Sequence, residues 1–213
     1  MTQRVAAEGT FAVVTGGGTS GHVLPALAIA DALVVAGHTH SSIHYVGGKH
    51  GAEVALIAGT DYSATFLDVV GLQRNLSRRN LAFGPKLVRS VRAAKRLLRE
   101  LRPAVVVNVG GYASFPMTYA ARRAKVPYVV VSWDQRPGLV SRLLARGAAA
   151  CAVADASSAL PHAQVTGAPV RAAIVGLDRA AARTKAREQL ALPADRFVVA
   201  VVCGSLEIGR AHV

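Results

Sequence analysis

The chain has 213 residues, 52% of them hydrophobic, and its 25 Lys and Arg against 12 Asp and Glu give a formal charge of +13. It is long for one domain, short for two, and apolar enough for a substantial core, but no run approaches the roughly 18 apolar residues of a membrane span. Cys151 and Cys203 are its two cysteines, too few and too far apart for a disulfide framework or a metal cluster.

Met1–Thr10 lacks the apolar core of a signal peptide, which points to the cytoplasm. Phe11–Val14 reads as a short buried strand. It feeds Thr15-Gly16-Gly17-Gly18-Thr19-Ser20-Gly21-His22, after which Pro25 opens an apolar-periodic helix that closes at Gly37. Strand, glycine loop and helix in that order make an anion site, because glycines let the backbone approach a ligand and the helix start offers N–H groups. Gly16-x-Gly18-x-x-Gly21 satisfies the dinucleotide pattern, which then wants an acid at the tip of the second strand. That strand, Ser42–Val46, ends in Gly47-Gly48-Lys49 with no carboxylate, which weakens a dehydrogenase reading. The P-loop fails as well, since His22 stands where Lys should follow the last glycine. His22 is therefore a candidate base or hydrogen-bond donor at the anion, against the plainer role of a packed helix-start histidine.

Downstream, strands alternate with helices: a helix from about His50 to Ala58, a strand Ser63–Phe66, a helix Pro85–Leu101 and a strand Ala104–Val107. Gly110-Gly111-Tyr112 makes a second glycine loop, followed by helix Pro116–Ala124, strand Tyr128–Val131, helix Leu139–Arg146 and a weak strand Ala150–Val153. This alternation predicts an α/β fold with a Rossmann-like parallel sheet and flanking helices. Val170–Asp195 is Ala- and Arg-rich and helical in pattern. Phe197–Val202 reads as a new strand ending at Cys203-Gly204-Ser205, the start of a second domain. Residues 207–213 continue neither pattern and resemble the translation of a sequencing adapter, so they are read as a foreign tail.

The charge is concentrated. From Arg74 to Arg102 there are ten basic residues and one acid, Glu100. On the helix, Leu87, Val91, Ala94, Leu98 and Leu101 fall at helical spacing and should pack inward, leaving Arg89, Arg92, Lys95, Arg96 and Arg99 outside. Such a face suits an anionic partner. A nucleic-acid reader would interleave aromatics to stack bases, and this window holds only Phe83. A non-catalytic anionic-lipid or nucleic-acid binding module stays as an alternative, with nucleic acid disfavoured. Arg78, Arg79 and Lys86 are candidate membrane contacts, with Leu76, Leu81 and Phe83 as insertion points.

Thr15 to Ala28 resembles the first glycine loop of the MurG family, glycosyltransferases that build the lipid-linked peptidoglycan precursor. Gly110-Gly111-Tyr112-Ala113-Ser114-Phe115-Pro116 resembles that family's second loop. Gly167-Ala168-Pro169-Val170-Arg171 is similar to its Gly-Asn-Pro-Val-Arg, and Gly204-Ser205 to the start of its glycine-serine loop. The resemblance implies a GT-B architecture of two facing Rossmann-like halves. Residues 1–170 would be the acceptor-side half, and 171–206 the hinge and first strand of the donor-side half, the rest of which is truncated. It implies inverting transfer of N-acetylglucosamine from UDP-N-acetylglucosamine to an undecaprenyl-diphosphate-linked acceptor at the cytoplasmic face of the membrane. No cofactor and no metal are expected.

By position, Thr19, Ser20, Gly21, Arg171 and Ser205 match donor contacts. Gly17, Gly18, Gly110, Gly111 and Tyr112 would seat the acceptor diphosphate, and His22 would assist deprotonation or hold the acceptor. One departure stands out: where the family has His-Glu-Gln-Asn, this chain has Val131-Ser132-Trp133-Asp134. Asp134 falls on the donor-contacting Asn. A carboxylate accepts hydrogen bonds but cannot donate an amide one, and it would repel a nearby phosphate. Either Asp134 holds the donor sugar in a different way, or it is a candidate for the base itself; a related transferase with another acceptor is the remaining alternative.

Overall fold

Strand β1 (Ala12–Thr15) is the centre from which the sheet is built. In the computed structural model, residues 9–69, 71 and 83–199 are described. The remaining strands are β2 (Ile43–Gly48), β3 (Ser63–Leu67), β4 (Val105–Asn108), β5 (Tyr128–Ser132), β6 (Ala150–Val153) and β7 (Ala163–Val165). All pair in parallel, in the order β3-β2-β1-β4-β5-β6-β7. Parallel strands are covered on both faces and so read as near-continuous Val and Ile runs, as β1, β4 and β5 do.

Alternate side chains divide the core. Val13, Val106 and Val130 pack with Ala94 and Leu98 of α3 (Phe83–Leu101), Met117 and Ala121 of α4 (Phe115–Ala124), and Leu144 of α5 (Leu139–Ala145). Val14, Val107 and Val131 turn to the other face, against Val23, Ala26 and Ala30 of α1 (Ser20–Val35) and Ile57 of α2 (Glu53–Ala58). The α/β, Rossmann-like expectation holds.

The chain runs outward from β1 through β2 to β3, then returns to the other side of β1 as β4. Thr15 and Asn108 end β1 and β4 side by side. The loops that follow these two strands diverge there, and such a switch point is where open α/β sheets bind ligands.

Several elements differ from expectation. Helix α1 starts at Ser20, five residues before Pro25, because its first turn closes on Thr19, whose carbonyl accepts from the N–H groups of His22 (3.1 Å) and Val23 (3.4 Å). Pro25 then falls inside the helix, where its missing N–H leaves the Gly21 carbonyl without its usual partner. Strand β7 was not anticipated: its three residues, Ala-Gln-Val, are exposed and show no alternation. On α3, Ala94 and Leu98 are buried and the five predicted basic residues are exposed. Lys86 is half-buried. Ser90 takes an unexpected inward place, donating to the carbonyls of Asp68 (2.7 Å) and Lys86 (2.9 Å).

The chain divides after Pro169 into two compact units. In the second, the expected long helix is two: α6 (Ala172–Val175) and α7 (Arg179–Gln189). Asp178 breaks the run by capping α7, its carboxylate accepting from the N–H groups of Ala180 (2.9 Å) and Ala181 (3.0 Å). Phe197–Val199 lie in no strand, and the rest of the expected Phe197–Val202 strand lies outside the described residues.

Candidate active site

The two glycine loops meet edge to edge. Gly18 has φ +98 and Gly110 φ +94, left-handed values that favour glycine. A Cβ on Gly18 would lie 2.5 Å from the Tyr112 ring, and one on Gly111 would overlap the Gly17 carbonyl. Side chains at these positions would force the loops apart. Tyr112, which opens a short 3₁₀ turn (Tyr112–Ser114), lays its ring across the first loop.

Each loop is also pinned from beneath by one buried side chain, and neither of these was anticipated. Asn108, fully buried at the end of β4, accepts from the Gly110 N–H with Oδ1 (2.8 Å) and donates through Nδ2 to Thr118 Oγ1 (2.8 Å). Thr118 passes the bond on to the Ser114 carbonyl (2.9 Å). Glu53, the first residue of α2 and fully buried, accepts from the N–H of Gly48 with Oε1 (2.8 Å) and of Gly18 with both oxygens (3.2 and 3.3 Å). The acid missing from the tip of β2 is therefore present, supplied five residues later and turned inward. Asn108 had a faint signal, as the polar end of a Val-Val-Val run directly before glycines. Glu53 had none, since nothing in a helix-start glutamate marks it as buried.

His22 sits in the first turn of α1, half-buried, with Nδ1 3.1 Å from Thr19 Oγ1. Its opposite edge faces the second loop: a Cβ on Gly110 would lie 3.0 Å from Cδ2 and 3.3 Å from Nε2. The Trp133 ring is 5.9 Å away, tilted by 45°. Burial holds the imidazole below its ordinary pKa, opposed by the negative charges of Asp134 and Glu53. A neutral imidazole is the form that can accept a proton.

A cavity of about 300 Å³ opens between His22, the second loop, the end of β5 and the start of α5. His22, Gly110, Gly111, Tyr112, Trp133 and Asp134 are among the residues lining it, so five of the predicted site residues come together there. Thr19 joins them through its bond to His22. Gly17 and Gly18 lie behind, against Glu53 and Tyr112. Ser20 and Gly21 begin α1. Trp133 belongs to the departure Val131–Asp134 and stands where the resembled family has Gln, but the sequence gives it no role of its own. Lys86 stands on α3 and does not line the cavity. Arg171 is exposed in the second unit, at the start of α6. Arg78, Arg79 and Ser205 lie outside the described residues. Among the described residues, no group of three His, Cys, Asp or Glu could hold a metal ion.

Residues 12–153 match the model of the glycosyltransferase family 28 N-terminal domain. The chain belongs to this family. A transferase of Paenarthrobacter aurescens, named UDP-N-acetylglucosamine–N-acetylmuramyl-(pentapeptide) pyrophosphoryl-undecaprenol N-acetylglucosamine transferase, is 41% identical over 202 residues, 93% of this chain and 54% of the relative. An Acidothermus cellulolyticus protein of the same name is 40% identical over 193 residues, 91% of this chain and 52% of its own. The family 28 chain thus spans about half the length of these relatives. Among solved structures, MurG of Acinetobacter baumannii superposes with TM-score 0.65 at 25% identity, over 76% of this chain and 46% of that one. A UDP-N-acetylglucosamine 2-epimerase from Rickettsia bellii shares the fold, with TM-score 0.58 at 16% identity, over 86% and 52%.

Proposed function

We propose that this chain is the acceptor-side half of an inverting glycosyltransferase that moves N-acetylglucosamine from UDP-N-acetylglucosamine to a lipid-diphosphate-linked muramyl-pentapeptide. The observation that carries this reading is the placement of His22 Nε2 against the second glycine loop, in a cavity at the switch point of the sheet. The names and identities of the family 28 relatives support the choice of substrates.

In the proposed reaction the acceptor 4-hydroxyl lies against His22. In the tautomer this reaction requires, Nδ1 carries the proton and donates to Thr19 Oγ1, so that the Nε2 lone pair takes the hydroxyl proton as oxygen attacks the anomeric carbon and UDP departs. Gly111 and Tyr112 hold the acceptor diphosphate beside it. Thr19, Ser20 and Gly21 serve the donor. Asp134, exposed at the rim, adds negative charge that raises the basicity of His22.

The acceptor is a lipid, so this half has to meet a membrane. In this reading attachment is peripheral; among the described residues no helix is long and apolar enough to cross a membrane. Two surfaces suit that role. The outer face of α3 carries Arg89, Arg92, Lys95, Arg96 and Arg99. A groove of about 660 Å³ along α5 sets Arg136, Arg142 and Arg146 among Leu139, Leu143 and Leu160.

The test is sugar transfer by the full-length protein, with labelled UDP-N-acetylglucosamine and a lipid-diphosphate muramyl-pentapeptide. Transfer is expected, and His22→Ala should lower kcat/KM by about 10²-fold or more. Absence of transfer, or an unimpaired His22→Ala enzyme, overturns the reading.

A further inference from the structure

The first glycine loop has the form of an anion cradle, and the chain itself has filled it. The N–H groups of Gly18 and Gly48 converge on one carboxylate, that of Glu53. Converging backbone N–H groups are what a phosphate would use. The glycines around them make room for this carboxylate: a Cβ on Gly17 would lie 2.5 Å from Oε1, one on Gly48 3.0 Å from it, and one on Gly51 would overlap Oε2. Glu53 is fully buried, so solvent does not screen its charge from the loop.

The second loop is built differently. Its Gly110 N–H is also taken, but by the neutral amide oxygen of Asn108. Gly111 and Tyr112 line the open cavity. An anion approaching the first loop meets a carboxylate already bonded to its N–H groups. At the second loop Asp134 lines the same cavity, but among the described residues no carboxylate is bonded to the Gly111 or Tyr112 N–H.

We propose that the Glu53 carboxylate is an internal anion that occupies the amide cradle of the first glycine loop, so that a diphosphate is held by the second loop and not by the first. This deepens the transferase reading and rests on it for the identity of the diphosphate; the cradle itself stands on the geometry. Glu53 thereby acts as a specificity-determining residue without touching substrate: it leaves the first loop to position His22 and assigns phosphate to Gly111 and Tyr112.

The experiment is a titration of the 213-residue chain with inorganic pyrophosphate, followed by the amide resonances of both loops. In the wild-type chain the Gly111 and Tyr112 amides should shift saturably at millimolar ligand while Gly18 and Gly48 stay in place. In Glu53→Ala, Gly18 and Gly48 should shift as well. Movement of Gly18 and Gly48 in the wild type overturns the proposal, since the carboxylate then yields to phosphate. So does silence of both loops, or a folded Glu53→Ala chain whose Gly18 and Gly48 do not respond. Should that variant not fold, the wild-type titration still decides by the contrast between loops. Sugar transfer plays no part in the readout, so failure of the transferase reading would leave the cradle result intact, and the reverse.

Discussion

Asn108→Ala tests whether the second loop is held from below. Asn108 is fully buried and makes two side-chain hydrogen bonds, one to the Gly110 N–H and one to Thr118 Oγ1, each 2.8 Å. Truncation removes both, at about 1 kcal/mol net apiece, and leaves the Gly110 N–H as a buried donor without a partner, worth about 1–3 kcal/mol. Thr118 keeps its bond to the Ser114 carbonyl, so it adds little. The expected loss is about 3–5 kcal/mol. Thr118→Val removes the Nδ2 partner together with the bond from Thr118 Oγ1 to the Ser114 carbonyl and should cost about 2 kcal/mol, with the double variant falling short of the sum because the two share a bond. Urea unfolding followed by Trp133 fluorescence gives these values, with the slope of the transition as the check on two-state behaviour. An Asn108→Ala chain within about 0.5 kcal/mol of wild type, the range of an ordinary surface change, would refute the account of the loop.

Acid should destabilise the domain. Burial depresses both His22 and His44, so the unfolded chain binds protons first; stability is full above about pH 6.5 and falls as pH drops below it toward the depressed folded values. A Tm unchanged between pH 7.5 and pH 5 would contradict this. In the full-length protein, Asp134→Asn should keep activity and move the acid limb of kcat/KM to lower pH, because Asp134 raises His22; a collapse of activity would make Asp134 the base instead. Reversing Lys86, Arg89 and Arg92 to Glu should weaken sedimentation with anionic vesicles by more than about 10²-fold, at roughly 1 kcal/mol lost per basic group, without lowering Tm. Equal binding to neutral vesicles would remove the membrane face.

The glycine loops were legible because positive φ values, from +77 at Gly111 to +147 at Gly17, and close backbone contact leave few residues to choose from, and Gly17, Gly18, Gly110 and Gly111 advertise them. The inward face of α3 was legible through its spacing. What escaped notice depended on contacts distant in sequence. Glu53 reaches Gly18 across 35 positions, and β7 is a strand only because β6 offers it an edge. The start of α1 escaped because proline is a strong sign of a first turn, yet here the helix forms around Thr19 before Pro25 is reached. Trp133 and Asp134 were visible as a departure, but the cavity they share with His22 required the crossing of β1, β4 and β5.

The replacement of a neutral amide by Asp134 makes physical sense beside this histidine. A buried imidazole loses hydration that favours its charged form, and a base held too far below neutrality takes a proton with little driving force. Two negative groups counter that burial for His22: Glu53 from behind the loop and Asp134 from the cavity side. Glu53 is fixed by its bonds to Gly18 and Gly48, and so exerts a constant influence. Asp134 is exposed, and its effect is open to solvent and to whatever enters the cavity. A diphosphate seated at Gly111 and Tyr112 brings further negative charge to the same side. In the proposed reaction the substrate would therefore complete the activation of its own base: acceptor binding raises the proton affinity of His22 when the 4-hydroxyl is in place.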